Sequence, residues 1–320
     1  MRIAFLHHLT LTRLGGGEIW IMNVAKELQA LGHDVKVYAT PVKVSSGVPA
    51  NPQSILGNIP YSEGYGHNID ADVTYVTYHP TYSINFKAPK IILGVHATTC
   101  WEHFDYKYGL LPNSAIFLHK IFSKAEFNKA KAVHLVAPYL EVKHPNVYRI
   151  PNFVDSQKFT RSNQCKNKFV VAFASRKTYQ KGWDVFLALQ QSFASNKNID
   201  FVSSSNLPES EVPKFIAQAN VVVVPSRYDS YGLVIVEAAM CCCHVITTRL
   251  PSHLALNLPL TFADGILETK NAILSLYKSW LNNPVAFSSE ETELRKKAIA
   301  LYDKQVIMKK LNQMFKEVVA

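Results

Sequence analysis

Residues 1–39 run MRIAFLHHLTLTRLGGGEIWIMNVAKELQALGHDVKVYA, and the order of apolar and glycine residues in them sets the fold class. Residues 2–6 are a short run of strand length, apolar after Arg2. Trp20, Val24, Leu28 and Leu31 recur at spacings of four, four and three, which is one stripe of a helix. Gly32 stands where a helix C-cap belongs, and residues 35–39 make a second strand. Strand, glycine turn, helix, strand is the opening unit of a parallel sheet, since parallel neighbours need a crossover that a helix supplies.

Working outward, residues 73–77 and 91–95 continue the series as strands. Ile150, Pro151 and Asn152 close it, and a polar, lysine-rich stretch at 156–168 precedes a new strand at 169–174. The second series has strands at 199–203, 221–225 and 245–248, with helices at 181–193, 208–219 and 232–242. Residues 290–319 are charged, helical in period, and longer than the second series needs to finish its sheet. The expected division is 1–152, 153–295, and a C-terminal helix over 296–320 that crosses back to the first domain. Both domains are α/β and doubly wound, facing each other across a cleft. The chain has no internal repeat and no low-complexity segment.

Composition narrows the function classes. With 320 residues, 48% of them hydrophobic, the chain can bury a large core and is not a disordered protein. The formal charge of +10 favours an anionic partner: a nucleotide, a phosphorylated lipid, a membrane surface or nucleic acid. Five cysteines, three of them the consecutive Cys241, Cys242 and Cys243, do not suit a disulfide framework, and the triplet is expected to pack as small buried hydrophobes in a reducing compartment. The N-terminal residues lack the continuous apolar stretch of a secretory signal, and no run approaches the length of a membrane span. The expectation is a cytoplasmic protein, peripheral at most on the inner face of the membrane.

Three constellations can carry chemistry. Gly15, Gly16 and Gly17 lie between the first strand and its helix, so their amides and the helix N-terminus can converge on an anion, although a plain glycine turn would look the same. The spacing matches neither a dinucleotide fingerprint nor a P-loop. Arg176 and Lys181 fall in the loop after the second domain's first strand, where two cations can clamp a diphosphate. From Ser156 to Trp183 there is no acidic residue, so the local potential is positive and an anion needs no metal. A solvated basic loop is the alternative. Asp229 lies on a later strand-to-helix loop, followed by Ser230, Tyr231, Gly232 and Leu233, and Glu237 sits inside an apolar helix. A carboxylate there needs a fixed partner, either a ribose diol or a neighbouring cation.

In order and spacing, these motifs resemble the family-four retaining glycosyltransferases of the GT-B fold, over roughly residues 1 to 250. The run from Gly15 to Leu28, with Leu31 to Val37 after it, is similar to that family's glycine loop and first helix. Ile150 to Asp155 resembles its interdomain segment, Arg176 and Lys181 with Gly182 its diphosphate clamp, and Asp229 to Glu237 its paired-acid motif. The resemblance implies two Rossmann-like domains. It also implies that His96, at the end of an apolar strand, sits near the donor sugar and orients its hydroxyls; His7 and His8 are weaker candidates of that kind. The family's acid motif opens with Glu, and Asp229 withdraws the carboxylate by roughly 1.5 Å. Phe153 replaces a glycine of the interdomain segment, and Cys242, Cys243 and His244 replace a Gly-x-Pro.

By this resemblance the chain transfers a hexose from a UDP- or GDP-linked donor to an acceptor hydroxyl, with retention, without metal and without a bound cofactor. Arg176, Lys181 and the glycine amides stabilise the leaving diphosphate, Glu237 holds the ribose, and Asp229 with the amides of residues 230–233 holds the sugar and β-phosphate. Nine Lys and Arg against four acids between Lys87 and Arg149, interleaved with Phe104, Tyr106, Tyr108, Phe117, Phe122 and Phe127, suit a glycan or lipid-linked acceptor and a peripheral membrane contact, as well as ordinary surface helices. The rival readings are a nucleotide-sugar epimerase or phosphorylase on the same scaffold, and a non-catalytic nucleotide or glycan binder. No nucleic-acid motif is present.

Overall fold

The computed structural model of the 320-residue chain describes residues 1–42, 48–77, 85–96, 127–137, 139–162, 167–204, 207–208 and 210–320. It divides into two compact units, Met1–Pro151 with Met308–Ala320, and Asn152–Ile307.

Unit 1 is built on a seven-stranded sheet of β1 (Arg2–His7), β2 (Asp34–Ala39), β3 (Tyr61–Glu63), β4 (Val73–Thr77), β5 (Ile91–Val95), β6 (Ala132–Leu135) and β7 (Val147–Arg149). Every neighbouring pair is parallel, and the order in space is β7-β6-β5-β4-β1-β2-β3. Helix α1 (Gly16–Ala30) crosses from β1 to β2, and the short α2 (Pro52–Leu56), capped by the Asn51 side chain, leads to β3. The chain winds one way through β3 and starts again at β4 on the other side of β1, so the strand order reverses between β1 and β4.

Beyond Arg2, β1 and β4 are buried along their whole length, which is why they read as continuous apolar runs and not as alternating ones. Side chains at paired positions share a face. Ala4, Leu6, Val76, Leu93, Val95, Val133 and Leu135 make the core on one face. On the other, the rings of Phe5, Tyr75 and Phe315 meet, with centroids 5.5 to 6.1 Å apart. Full burial of each such ring contributes about 1.5–3 kcal/mol.

Unit 2 has the parallel strands β8 (Phe169–Phe173), β9 (Ile199–Ser203), β10 (Val221–Val224), β11 (His244–Thr247) and β12 (Thr261–Phe262), in the order β9-β8-β10-β11-β12. Here the order reverses between β8 and β10. Its helices are α3 (Trp183–Ser192), α4 (Val212–Ala217), α5 (Leu233–Met240), α6 (Pro251–Leu254), α7 (Gly265–Asn282) and α8 (Pro284–Tyr302), and α9 (Lys304–Val319) starts in unit 2 and ends in unit 1. Phe169, Val171, Phe173, Phe186, Leu189, Ile246 and Ile273 form the core between the sheet and α3 with α7.

Three helices differ from their sequence expectation at the ends. Residues 179–181 are a 3₁₀ turn before α3, α4 starts only at Val212, and α5 stops at Met240 because Cys242 takes a left-handed φ of 57°. The charged stretch at 290–319 is not one helix. It breaks at Asp303, which is extended (φ −63°, ψ 143°). Val154 inserts at the break: its amide donates to the Tyr302 carbonyl (2.9 Å), and the Lys304 amide donates to its carbonyl (3.1 Å). The Asp303 carboxylate accepts from the amides of Gln305 (2.9 Å) and Ser156 (3.2 Å), and Lys304 pairs with Asp155 at 2.9 Å. The segment after Pro151 is thereby tied to the last helices of its own unit.

Asp303→Ala removes both capping bonds and is expected to lower stability by about 1–2 kcal/mol in urea denaturation. Asp303→Asn keeps one acceptor oxygen and should recover much of that loss. An unchanged midpoint in the alanine variant would show that the helix break does not depend on this carboxylate.

Candidate active site

In unit 2 the loops after β8 (residues 174–182) and β10 (residues 225–232) leave the carboxyl edge of the sheet at the point of reversed strand order, where ligands of doubly wound sheets bind. Gly182, at φ +74°, brings the two loops together backbone to backbone: a Cβ there would run into the Pro225 carbonyl oxygen. The neighbouring Lys181 thus reaches across to Asp229, Nζ to Oδ2 2.8 Å, with both side chains only 15% exposed. The other carboxylate oxygen of Asp229 accepts from the amides of Gly232 (3.2 Å) and, more weakly, Tyr231 (3.4 Å), at the start of α5.

His253 of α6, fully buried, stands behind this pair. Its Nε2 lies 3.7 Å from Asp229 Oδ2, too long for a hydrogen bond but close enough for electrostatic attraction. Its Nδ1 lies 2.8 Å from the Thr247 hydroxyl and 3.2 Å from the Thr248 carbonyl. Ser252 donates to the Asp229 backbone carbonyl at 2.6 Å. Burial alone would raise the Asp229 pKa, but the His253 ring and the Lys181 charge outweigh it and hold the carboxyl well below the usual range.

The turn that carries Lys181 is braced. Arg227 donates both guanidinium nitrogens to Asp184 at 2.7 Å, donates to the Tyr179 carbonyl at 2.7 Å, and lies 3.8 Å over the Tyr179 ring. Arg176 is exposed, and its side chain makes no hydrogen bond or ion pair among the described residues. The cation pair expected from the sequence is therefore unequal, with Lys181 matched by Asp229 and Arg176 carrying an open charge. Leu233 opens α5, and Glu237 lies half-buried further along it. Tyr231 is buried and donates its hydroxyl to the Asn152 carbonyl at 3.1 Å, a structural tie more than a ligand contact.

In unit 1 the glycine loop is only partly open. The Gly15 amide donates to Glu18 Oε2 at 2.8 Å, so it is already engaged, and a carboxylate sits where the sequence placed an anion. Gly16 and Gly17 keep free space around their α-carbons, and their amides belong to the first helical turn, which no helix carbonyl reaches. The other Glu18 oxygen meets His7 Nε2 at 2.9 Å, and His7 Nδ1 meets the Thr77 hydroxyl at 2.7 Å. Burial pulls the Glu18 pKa up, and the bonds from His7 and Gly15 overcome it and hold the carboxyl below its ordinary value. His8 is buried in the core.

His96 follows β5 and is half-buried, its ring edge-on to Trp20 with centroids 4.4 Å apart. Its Nε2 lies 2.8 Å from the Tyr75 hydroxyl, which in turn lies 2.7 Å from Nδ1 of the fully buried His134. His134 Nε2 lies 2.7 Å from the Ile150 carbonyl. Burial, with the neighbouring His134 and His7, pushes the His96 pKa well down, and burial pushes His134 down to about 4. Both rings are neutral at pH 7.

Tyr75, His134, Arg227, Ser252 and His253 were not singled out from the sequence. A tyrosine and a histidine inside fully buried strands are a usable signal, because each polar atom must find a partner there. His253 and Ser252 had none, since their roles depend on α6 folding under the Asp229 loop. Cys241, Cys242 and Cys243 are buried free thiols, and Cys243 Sγ lies 3.3 Å from the carbonyls of Ile216 and Ala219. Among the described residues no helix is long and apolar enough to cross a membrane, and no group of three or more His, Cys, Asp or Glu could hold a metal ion. Of the aromatic residues expected to serve an acceptor or membrane, Phe104, Tyr106, Tyr108, Phe117 and Phe122 lie outside the described residues; Phe127 packs against the unit 1 core.

Residues 189–299 match the family described as glycosyl transferases group 1. That stretch includes Asp229 to Glu237 and starts just beyond Lys181. No curated protein is similar enough in sequence to match. Among solved structures, a sucrose-phosphate synthase from Thermosynechococcus elongatus is similar over 99% of this chain and 98% of its own, at 15% identity and a TM-score of 0.72. A glycosyltransferase from Rickettsia africae covers 99% and 98%, at 14% identity and a TM-score of 0.71. The Anabaena protein HepE, solved in complex with UDP-glucose, covers 99% and 100%, at 13% identity and a TM-score of 0.70. These likenesses establish the fold, which is GT-B.

Two outcomes follow from the buried charges. Asp229→Asn leaves the Lys181 ammonium without a counter-charge at 15% exposure and is expected to cost about 2–4 kcal/mol in urea denaturation, part of it recovered when Lys181→Met is added. Purely additive losses would show that the pair is not coupled. His134 stays neutral in the folded state down to about 4, whereas the unfolded chain protonates it near its ordinary value of about 6.5. The unfolded state therefore binds more protons as pH falls through that window, and stability should drop by about 3 kcal/mol from this group between pH 7 and 4. His134→Gln should flatten the dependence, and an unaltered slope would count against it.

Proposed function

From the match of residues 189–299 to the glycosyl transferases group 1 family and the GT-B fold of the chain, we propose that it transfers a hexose from a UDP- or GDP-linked donor to an acceptor hydroxyl, with retention of configuration and without a metal. The observation that carries the proposal is the pairing of Lys181 with Asp229, at 2.8 Å, where the strand order of unit 2 reverses. A cation and a carboxylate on adjacent loops are what a sugar diphosphate requires, one for phosphate oxygens and one for sugar hydroxyls. A protein of the same fold solved with UDP-glucose supports the donor class.

In this reading Arg176 and Lys181 meet the diphosphate, and the amides at the start of α5 add their dipoles to it. Negative charge grows on the phosphate oxygen as the bond to the anomeric carbon breaks, and these groups act where that charge develops. Asp229 accepts from sugar hydroxyls and Glu237 from the ribose diol. The amides of Gly16 and Gly17 in unit 1 also serve the leaving diphosphate, His96 serves the transferred sugar, and the acceptor hydroxyl attacks from the face of the leaving group. The acceptor is a glycan or a lipid-linked glycan, met by the basic and aromatic stretch between Lys87 and Arg149.

A thermal-shift screen against UDP, GDP, ADP and their sugar conjugates in EDTA tests this reading. At a hundredfold excess over the dissociation constant, a ligand adds about 2.7 kcal/mol of stability. One nucleotide should stabilise the protein, and Arg176→Ala and Glu237→Ala should abolish the shift. Turnover that EDTA stops would overturn the metal-free mechanism. Donor binding without transfer to any acceptor would favour a non-catalytic binder, product from donor alone an epimerase, and a requirement for free phosphate a phosphorylase.

A further inference from the structure

Tyr75, Gly94 and His134 sit side by side on three adjacent strands of unit 1. Gly94 pairs with His134 on one side and with Thr77 on the other, so all three point to one face, and Tyr75, two residues before Thr77, points the same way. The Tyr75 ring crosses Gly94: a Cβ at position 94 would overlap its hydroxyl and ring. Only glycine lets that hydroxyl reach the histidines on both sides. His96, two residues beyond Gly94, completes the row.

The hydrogen-bond chain has one allowed direction. The Ile150 carbonyl can only accept, so His134 Nε2 carries a proton and donates to it at 2.7 Å. In a neutral ring Nδ1 is then bare, and it accepts from the Tyr75 O–H at 2.7 Å. Tyr75 has no second proton, so at the 2.8 Å contact its oxygen accepts from His96 Nε2–H. The remaining ring nitrogen of His96, Nδ1, carries only a lone pair. Tyr75 and His134 are fully buried, so the order is held by the fold.

We propose that Tyr75 and His134 are positioning residues that lock His96 as a hydrogen-bond acceptor through Nδ1, so that the site takes a ligand hydroxyl as a donor and does not supply it with a proton. The role of this acceptor in sugar recognition rests on the proposed function; the locked tautomer does not. A hydroxyl of the transferred sugar is the ligand group of matching chemistry, since it donates to Nδ1 while keeping its own lone pairs for other contacts. His96 is then a selector for a hydroxyl at one sugar position and not a general acid.

The test begins on the ligand-free full chain labelled with ¹⁵N-histidine, in long-range ¹H–¹⁵N correlation spectra near neutral pH, with His96→Gln and His134→Gln for assignment. Both rings are expected as the neutral Nε2–H tautomer, and Tyr75→Phe should convert His96 to a mixture. His96 found as Nδ1–H or as imidazolium in the wild type, or left unchanged by Tyr75→Phe, overturns the proposal. The wild-type spectrum decides even where the Phe variant does not fold. With a donor in hand, the deoxy and the deoxyfluoro analogues at one sugar position should each lose about tenfold in kcat/KM, because neither can donate. A fluoro analogue that keeps full activity at every position where the deoxy analogue fails would mean that the site donates to the sugar, and would sink the acceptor role. If no nucleotide-sugar binds at all, the proposed function fails, and the spectra still settle the relay.

Discussion

Parallel pairing is the constraint on which both units depend. It ends all strands of a sheet on the same edge, and it lets each connecting helix return the chain to start again, so every β-to-α loop gathers at that edge. Where the order of strands reverses, the loops on either side diverge and leave room between them. In unit 1 that point lies between β1, which leads into the glycine loop, and β4, which ends at Thr77; in unit 2 it lies between β8 and β10. The polar clusters of both units stand at these two places. His7, Thr77 and Glu18 mark the first, and Lys181 with Asp229 the second.

Register also decides which polar groups can enter the core. A lone histidine or tyrosine in a buried strand would leave polar atoms without partners at a cost of about 1–3 kcal/mol each. Tyr75 and His134 escape that cost because their strands are paired through β5, with Gly94 between them, so the two satisfy each other and the last proton goes to the Ile150 carbonyl. In unit 2 the same economy holds with charges. Asp229 is short enough to fold back onto the amides of its own loop while its other oxygen meets Lys181, and a buried carboxylate is thereby compensated on both oxygens.

Much of the fold was legible because it follows from local pattern. The opening strand, glycine turn and helix, the break at Asn152 and the five strands of the second series, apart from the two-residue β12, all announce themselves by period and punctuation. What the sequence did not reveal depends on contacts between distant segments. Asp303 splits a continuous helical pattern because Val154 and Ser156 reach it from far along the chain. The loops that carry Lys181 and Asp229 were legible, but not the pairings of their side chains. Lys181 meeting Asp229, Glu18 turning onto the Gly15 amide, and His253 coming up beneath the acid loop each require two elements to be in place at once. His96 could be found at a strand end; its tautomer could not, since it is set by residues on two other strands.

The ion pair at the unit 2 edge bears on how an anion would be held there. Lys181 has three N–H donors, and Asp229 uses one of them, so the ammonium can keep the carboxylate and still donate to phosphate oxygens. Its net attraction is weakened by the partner charge, because a phosphate arriving at Lys181 also meets Asp229. Arg176 has no such partner among the described residues and is exposed, so it presents its full charge and a planar fork suited to two phosphate oxygens. The two cations that looked equivalent in the sequence therefore differ: Arg176 carries an open charge, and Lys181 is fixed in place by Asp229 and by the brace of Arg227 on Asp184. Replacing Asp229 by the longer Glu would carry the carboxylate away from the amides of Tyr231 and Gly232. The shorter acid favours the compact loop, in which both of its oxygens are compensated.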